Sequence, residues 1–210
     1  MRKGLSMIAL SVAALFVFCW AQECRAQSNG PAPNKEDKAT SAEASPAEKY
    51  FTDVVLINQD GRPMRLYTDL LKGKVVVINT FFTTCVSVCP PMSRNLEKVQ
   101  EWLGSRLGKD AHIISITVDI DTDTPPRLKE YAEKYKARQG WYFLGGKKEN
   151  VEFALRKLGQ FVEAKDDHTT IMIVGNLQTG LWKKAFGLAK PDDLIKVVES
   201  VLNDKGETAK

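Results

Sequence analysis

The sequence predicts an α/β domain: a central, mainly parallel β-sheet with flanking helices and an N-terminal β-hairpin. Three observations predict it. "KVVVINTFF" (74–82) and "HIISITVD" (112–119) are continuous apolar runs of strand length, the pattern of strands buried on both faces. Single helical patterns separate the strand segments, as crossover connections between parallel strands require. "DVVLIN" and "PMRLY" flank "QDGR", where Asp60-Gly61 marks a tight hairpin turn.

The elements follow in order. A helix starts at Pro90, since proline suits a first helical turn, and carries Leu96, Val99 and Leu103 on one stripe. "TPPRLKEYAEKYK" starts with Thr124 as N-cap and continues as a helix. "WYFLGG" is a short strand, and "KENVEFALRKLG" is a helix stopped by Gly159. "TTIMIVG" and "LWKKAFG" are strands joined by the turn "NLQTG", adding an antiparallel edge, and "KPDDLIKVVESVLND" is the closing helix. A hairpin followed by βαβαβαββα fits a thioredoxin-like fold, here over residues 49–204.

The flanks differ in composition. Arg2 and Lys3, the apolar "LSMIALSVAALFVFCWA" and "CRA" before Gln27 make residues 1–26 a signal peptide or an N-terminal membrane anchor. The residues before Cys19 and Cys24 are Phe18 and Glu23, where lipidation wants small ones. Residues 27–48, rich in Pro, Ala, Ser and alternating charge, read as a disordered linker, and 205–210 as a flexible tail.

The chain of 210 residues is 43% hydrophobic and 27% charged, enough to build a sizeable core without disulfides. Of its formal charge of +4, Arg2, Lys3 and Arg25 against Glu23 carry half, so the domain is near neutral. It has no basic run with interleaved aromatics, so nucleic acid is not an expected partner. Nothing suggests more than a monomer.

Of four cysteines, Cys19 and Cys24 lie in the leader; Cys85 and Cys89 remain, in "FFTTCVSVCPPMSRN". They fall between the end of a central strand and the start of its helix, where ligand sites gather in such sheets. The unpaired N–H groups and dipole of a helix start favour thiolates. The spacing suits a redox couple, a metal clasp or a structural disulfide closing a short loop.

His168, in "KDDHTTIMIV", precedes a strand whose entry loop, in a thioredoxin-like sheet, passes beside the cysteine helix. It is either a loop histidine bonded to nearby carboxylates or the third corner of a Cys2His site. Thiolate and imidazole donors suit copper, Cu(I) first, whereas zinc wants a fourth ligand. No proline stands between Pro126 and Pro191 to face the sulfurs as in disulfide reductases, which favours a metal. His112 begins a strand and reads as structural. Asp119, Asp121 and Asp123 fail the calcium-loop pattern; Asp123 and Thr124 read as helix-start residues, with Asp119 at a strand end near the site. Met92 reads as a buried first-turn side chain. A peroxidase needs an Arg beside its attacking Cys, and Arg94 is the nearest.

"CVSVCP", "TVDIDTDTPPRLKEYAEKY" and "DHTTIMIVGNLQTG" together resemble the Sco/SenC family, copper chaperones of cytochrome c oxidase assembly, over roughly residues 50 to 200. The resemblance implies a thioredoxin-like fold with an inserted hairpin and one copper, Cu(I) or Cu(II), on Cys85, Cys89 and His168. It also implies a copper-accepting partner such as an oxidase subunit, and an exported, periplasmic domain tethered to the inner membrane. The family usually has Pro after the first Cys and Asp before the second; Val86 and Val88 stand there, so the chain resembles a divergent member. The alternative is a periplasmic thiol-disulfide oxidoreductase in which Cys85 attacks, Cys89 resolves and a thiol reductase is the partner.

Overall fold

The longest apolar runs form the two central strands of a seven-stranded sheet with strand order β2-β1-β5-β4-β3-β6-β7. The structure is a computed structural model that describes residues 44–206. The leader, the linker up to residue 43 and the tail from 207 lie outside the described residues. Helix α1 (Pro46–Phe51) straddles the boundary at residue 49 expected from composition. Ser45 caps it by accepting the Glu48 N–H at 3.1 Å.

Strands β1 (Val55–Asn58) and β2 (Pro63–Arg65) form the expected hairpin. Gly61 takes φ +74°, and Asn58 Oδ1 accepts the N–H groups of Asp60 and Arg62. The expected second strand reached Tyr67. Instead Leu66–Leu71 form a π-helix, because Leu66, Tyr67, Leu70 and Leu71 all bury on one side, a helical spacing.

Strands β3 (Val75–Phe81) and β4 (Ala111–Thr117) are buried at every position and pair in parallel, and β4 pairs in parallel with β5 (Trp141–Gly145). Their side chains alternate between two cores. Val75, Val77 and Phe81 pack under α2 (Cys89–Leu103), α3 (Pro125–Lys134) and α5 (Pro191–Leu202). Val76 and Ile78 pack under α1, the π-helix and α4 (Lys148–Lys157). Gly159, at φ +66°, stops α4 as expected.

The sheet is mixed rather than mainly parallel, with the expected antiparallel edge. Strand β6 (Ile171–Asn176) runs antiparallel to β3, with Val75 opposite Asn176 and Ile78 opposite Ile173. Strand β7 (Leu181–Phe186) is antiparallel to β6, and β1 to β5. After α4, residues 159–170 carry the chain back along the sheet before β6 begins. Strand β6 therefore starts at the carboxyl end of β3, where the cysteines are.

Candidate metal centre

Strand β3 ends at Phe81, and the chain turns at once: the Cys85 N–H donates to Phe82 O at 3.1 Å. Thr83 fixes this turn, giving its N–H to Asp123 Oδ2 at 3.0 Å and its hydroxyl to Asp123 Oδ1. Helix α2 then starts at Cys89, with Val88 at the N-cap offering no side-chain acceptor. The missing acceptor is supplied by sulfur: the Cys89 N–H points at Cys85 Sγ, 3.4 Å away. Ser87 Oγ stands 3.9 Å from the same sulfur.

The two thiols are buried, Cys85 at 7% exposure and Cys89 at 1%, and neither forms a disulfide. Their acidities diverge. Burial works against a Cys85 thiolate, but the donors around it, from the Cys89 thiol and N–H and from Ser87, bring its pKa below the ordinary value. Burial, reinforced by that thiol's bond to Cys85, pushes Cys89 up to about 12. The helix start thus favours one thiolate, not both as its position suggested.

His168 follows the short 3-10 turn Lys165–Asp167. Its Nδ1–H donates to Lys165 O at 2.9 Å, which leaves the Nε2 lone pair facing Cys89 Sγ at 3.3 Å. Phe82 meets the imidazole edge-on, with ring centroids 5.2 Å apart. Lys165 Nζ lies over the same Phe82 ring and pairs with Asp119 Oδ2 at 2.7 Å. The donor atoms of Cys85, Cys89 and His168 all lie within 4.8 Å of one another, the one such group of three among the described residues. Two soft sulfurs and a free imidazole nitrogen fit a copper ion in low coordination.

Other readings resolve plainly. His112 is 4% exposed, gives Nδ1–H to Leu70 O at 2.9 Å and stacks edge-on against Tyr142. Met92 is 1% exposed and lies in the core below α2. Arg94 is exposed on α2. Thr124 occupies the N-cap of α3 but makes no side-chain cap bond. Asp123 does not serve the helix start either: it is 3% exposed and accepts from Thr83 and from Thr117 Oγ1, the latter at 2.5 Å. Asp119 lies just past the end of β4 beside the site; burial pushes its carboxyl up, but Lys165 and the Thr122 hydroxyl and N–H together hold it below the usual range. Thr83, Thr117, Lys165 and Phe82 carried no signal of their own in the sequence.

Residues 42–203 match the SCO1/SenC family. A SCO1 protein homolog of Bacillus subtilis (strain 168) is 34% identical over 118 residues, 55% of this chain and 60% of the relative. The chain thus spans less than two thirds of that relative's length. The crystal structure of a SCO1/SenC family lipoprotein from Bacillus anthracis str. Ames is similar at 28% identity and a TM-score of 0.59, covering 70% of this chain and 91% of that one. BsSco, a member of the Sco family of cytochrome c oxidase assembly proteins in which a disulfide switch is identified, is similar at 30% identity and a TM-score of 0.59, covering 72% and 92%. The family match runs unbroken from before α1 through the cysteine turn, β4 and the His168 loop to the end of α5, and the chain belongs to the SCO1/SenC family.

Proposed function

We propose that the protein is an exported copper metallochaperone that holds one copper ion through Cys85, Cys89 and His168 and delivers it to a respiratory oxidase subunit or another copper protein. Copper is the cargo here. The observation that carries the reading is the Nε2 lone pair of His168 turned toward Cys89 Sγ, with its ring fixed by Lys165 O. Family membership supports it, since BsSco belongs to a family of cytochrome c oxidase assembly proteins. Titration of the reduced chain with Cu(I) tests it. About one equivalent binds, Cys85→Ala abolishes tight binding, and His168→Ala weakens it less. Undiminished binding by a Cys85→Ser/Cys89→Ser variant overturns the reading.

Residues 1–26 act in this reading as an export signal or anchor and 27–48 as the linker that lets the domain reach its acceptor. The Bacillus anthracis relative is a lipoprotein, which supports membrane association. Among the described residues no helix is long and apolar enough to cross a membrane. Cell fractionation of the full chain checks the location.

A second reading, thiol-disulfide exchange, draws on the unequal acidity of the two sulfurs: Cys85 attacks a partner disulfide and Cys89 resolves it. A Cys89→Ser variant then accumulates a mixed disulfide in the exported fraction, and its absence removes this reading.

A further inference from the structure

The two halves of the site come from segments 79 residues apart, counted from Cys89 to His168. Strand β4 supplies no donor atom, yet residues at and just after its carboxyl end make polar contacts with both segments. Thr117, its last residue, is fully buried. Its Oγ1 donates to Asp123 Oδ2 at 2.5 Å and accepts the Asp119 N–H at 3.0 Å.

From that one oxygen, polar contacts lead to both halves. On one side Asp123 takes the N–H of Thr83 at 3.0 Å and the Thr83 hydroxyl, and Thr83 opens the turn that ends in Cys85. On the other side Asp119 Oδ2 holds Lys165 Nζ at 2.7 Å, and the Lys165 carbonyl takes the His168 Nδ1–H at 2.9 Å. A continuous chain therefore runs Thr83, Asp123, Thr117, Asp119, Lys165, His168.

We infer that Thr117 is a positioning residue: its hydroxyl sets where the Cys85 turn sits relative to the His168 imidazole. The inference rests on the copper reading above for its purpose, but not for its geometry. Apolar packing gives the His168 loop little other anchorage, since residues 163–167 are exposed and, among the described residues, Phe82 is the ring's one aromatic neighbour. The links are unequal. The Lys165–Asp119 pair is an outer link, with side chains 42% and 11% exposed, and pairs of that kind contribute little. The Thr117 bonds are dry, and losing one leaves a buried carboxylate short of a donor. Thr117→Val therefore disturbs the site more than Lys165→Met does.

The test uses the full chain. It has two histidines, so ring 15N resonances of the metal-free, reduced protein report His168 with His112 as internal reference. Thr117→Val moves the His168 resonances and leaves those of His112 in place, Lys165→Met moves them less, and Thr117→Ser restores them. Cu(I) affinity falls with Thr117→Val by about tenfold or more, the range seen when partners of metal ligands are removed, and returns with Thr117→Ser. A folded Thr117→Val protein with unmoved His168 resonances overturns the inference. Should Thr117→Val fail to fold, Thr117→Ala decides in its place, and unmoved His168 resonances there overturn it too. Wild-type chain that takes up no Cu(I) sinks the copper reading while the metal-free resonances still judge Thr117.

Discussion

The Cys89 N–H points at Cys85 Sγ from 3.4 Å, so the first sulfur of the motif caps the helix that the second one begins. Caps are usually oxygens of Ser, Thr, Asp or Asn. A sulfur in that place collects donors that lower its pKa, while burial pushes up its partner, deeper in the core.

Alkylation of the metal-free protein shows the division. Cys85 reacts first near neutral pH, and Cys89 is modified far more slowly. The apparent pKa of the Cys85 reaction lies below the ordinary thiol value and rises in Cys89→Ala, which removes the first of its donors. Mass mapping of iodoacetamide adducts against pH checks this. Equal rates for the two thiols contradict it.

Stability should follow the same asymmetry. Cys89 keeps its proton in the folded state up to about 12, whereas the unfolded chain releases it near ~8.5. Its contribution is therefore whole below ~8.5 and declines as pH rises from there toward the folded value, by at most about 1.4 kcal/mol per pH unit. Cys85 has the opposite sign. Its folded value is lowered, so its contribution is complete above the unfolded value and drains as pH falls through the folded one. Urea unfolding at alkaline pH, wild type against Cys89→Ala, isolates the Cys89 effect: the wild type loses more. Parallel pH dependence in both proteins contradicts it.

Asp123→Ala removes the acceptor of the Thr83 N–H, the Thr83 hydroxyl and Thr117 Oγ1. Leaving buried donors unpaired costs about 1–3 kcal/mol, so the unfolding free energy from urea titration falls by that amount. Asp123→Asn, which keeps one carbonyl acceptor in the same shape, costs less. Equal losses for the two substitutions would mean the carboxylate fills space rather than holding the turn.

Gly140 sits at φ +100°, and a Cβ there would lie 2.3 Å from Gly108 N and 2.6 Å from Gly108 Cα. Both obstacles are backbone, so nothing can rotate away. Gly140→Ala costs about 3 kcal/mol through strain and overpacking together. Gly61→Ala, also at positive φ but with no neighbour within 4 Å, costs about 1 kcal/mol. Thermal unfolding of the two variants compares them.

Burial was the most legible property of the sequence. The runs around Val77 and Ile114 had to be dry strands because no polar residue interrupts them for long, and both are fully interior. Helix starts at Pro125 and Pro191 were equally plain. The antiparallel edge of β6 and β7 was expected from the short turn between them; that the sheet is mixed overall was not legible, because an apolar run specifies what it faces and not the heading of its neighbours. The convergence of Cys85, Cys89 and His168 was readable once the entry loop of β6 was placed beside α2. The role of Asp123 was hidden for a different reason. Beside a Thr-Pro-Pro it looks like a helix-start residue, while its partners Thr83 and Thr117 are chosen by tertiary packing, which no local pattern encodes.

The reversed heading of β6 divides the Cys85, Cys89 and His168 group between two separate pieces of chain. The sulfurs sit on the turn after β3 and on the first residue of α2. The nitrogen rides on a crossing segment that the sheet merely borders. Replacing His168 on that segment would leave the two thiols without a nitrogen donor beside them. On the copper reading, cargo chemistry depends on that one segment, and thiol chemistry is what the cysteine turn would retain without it.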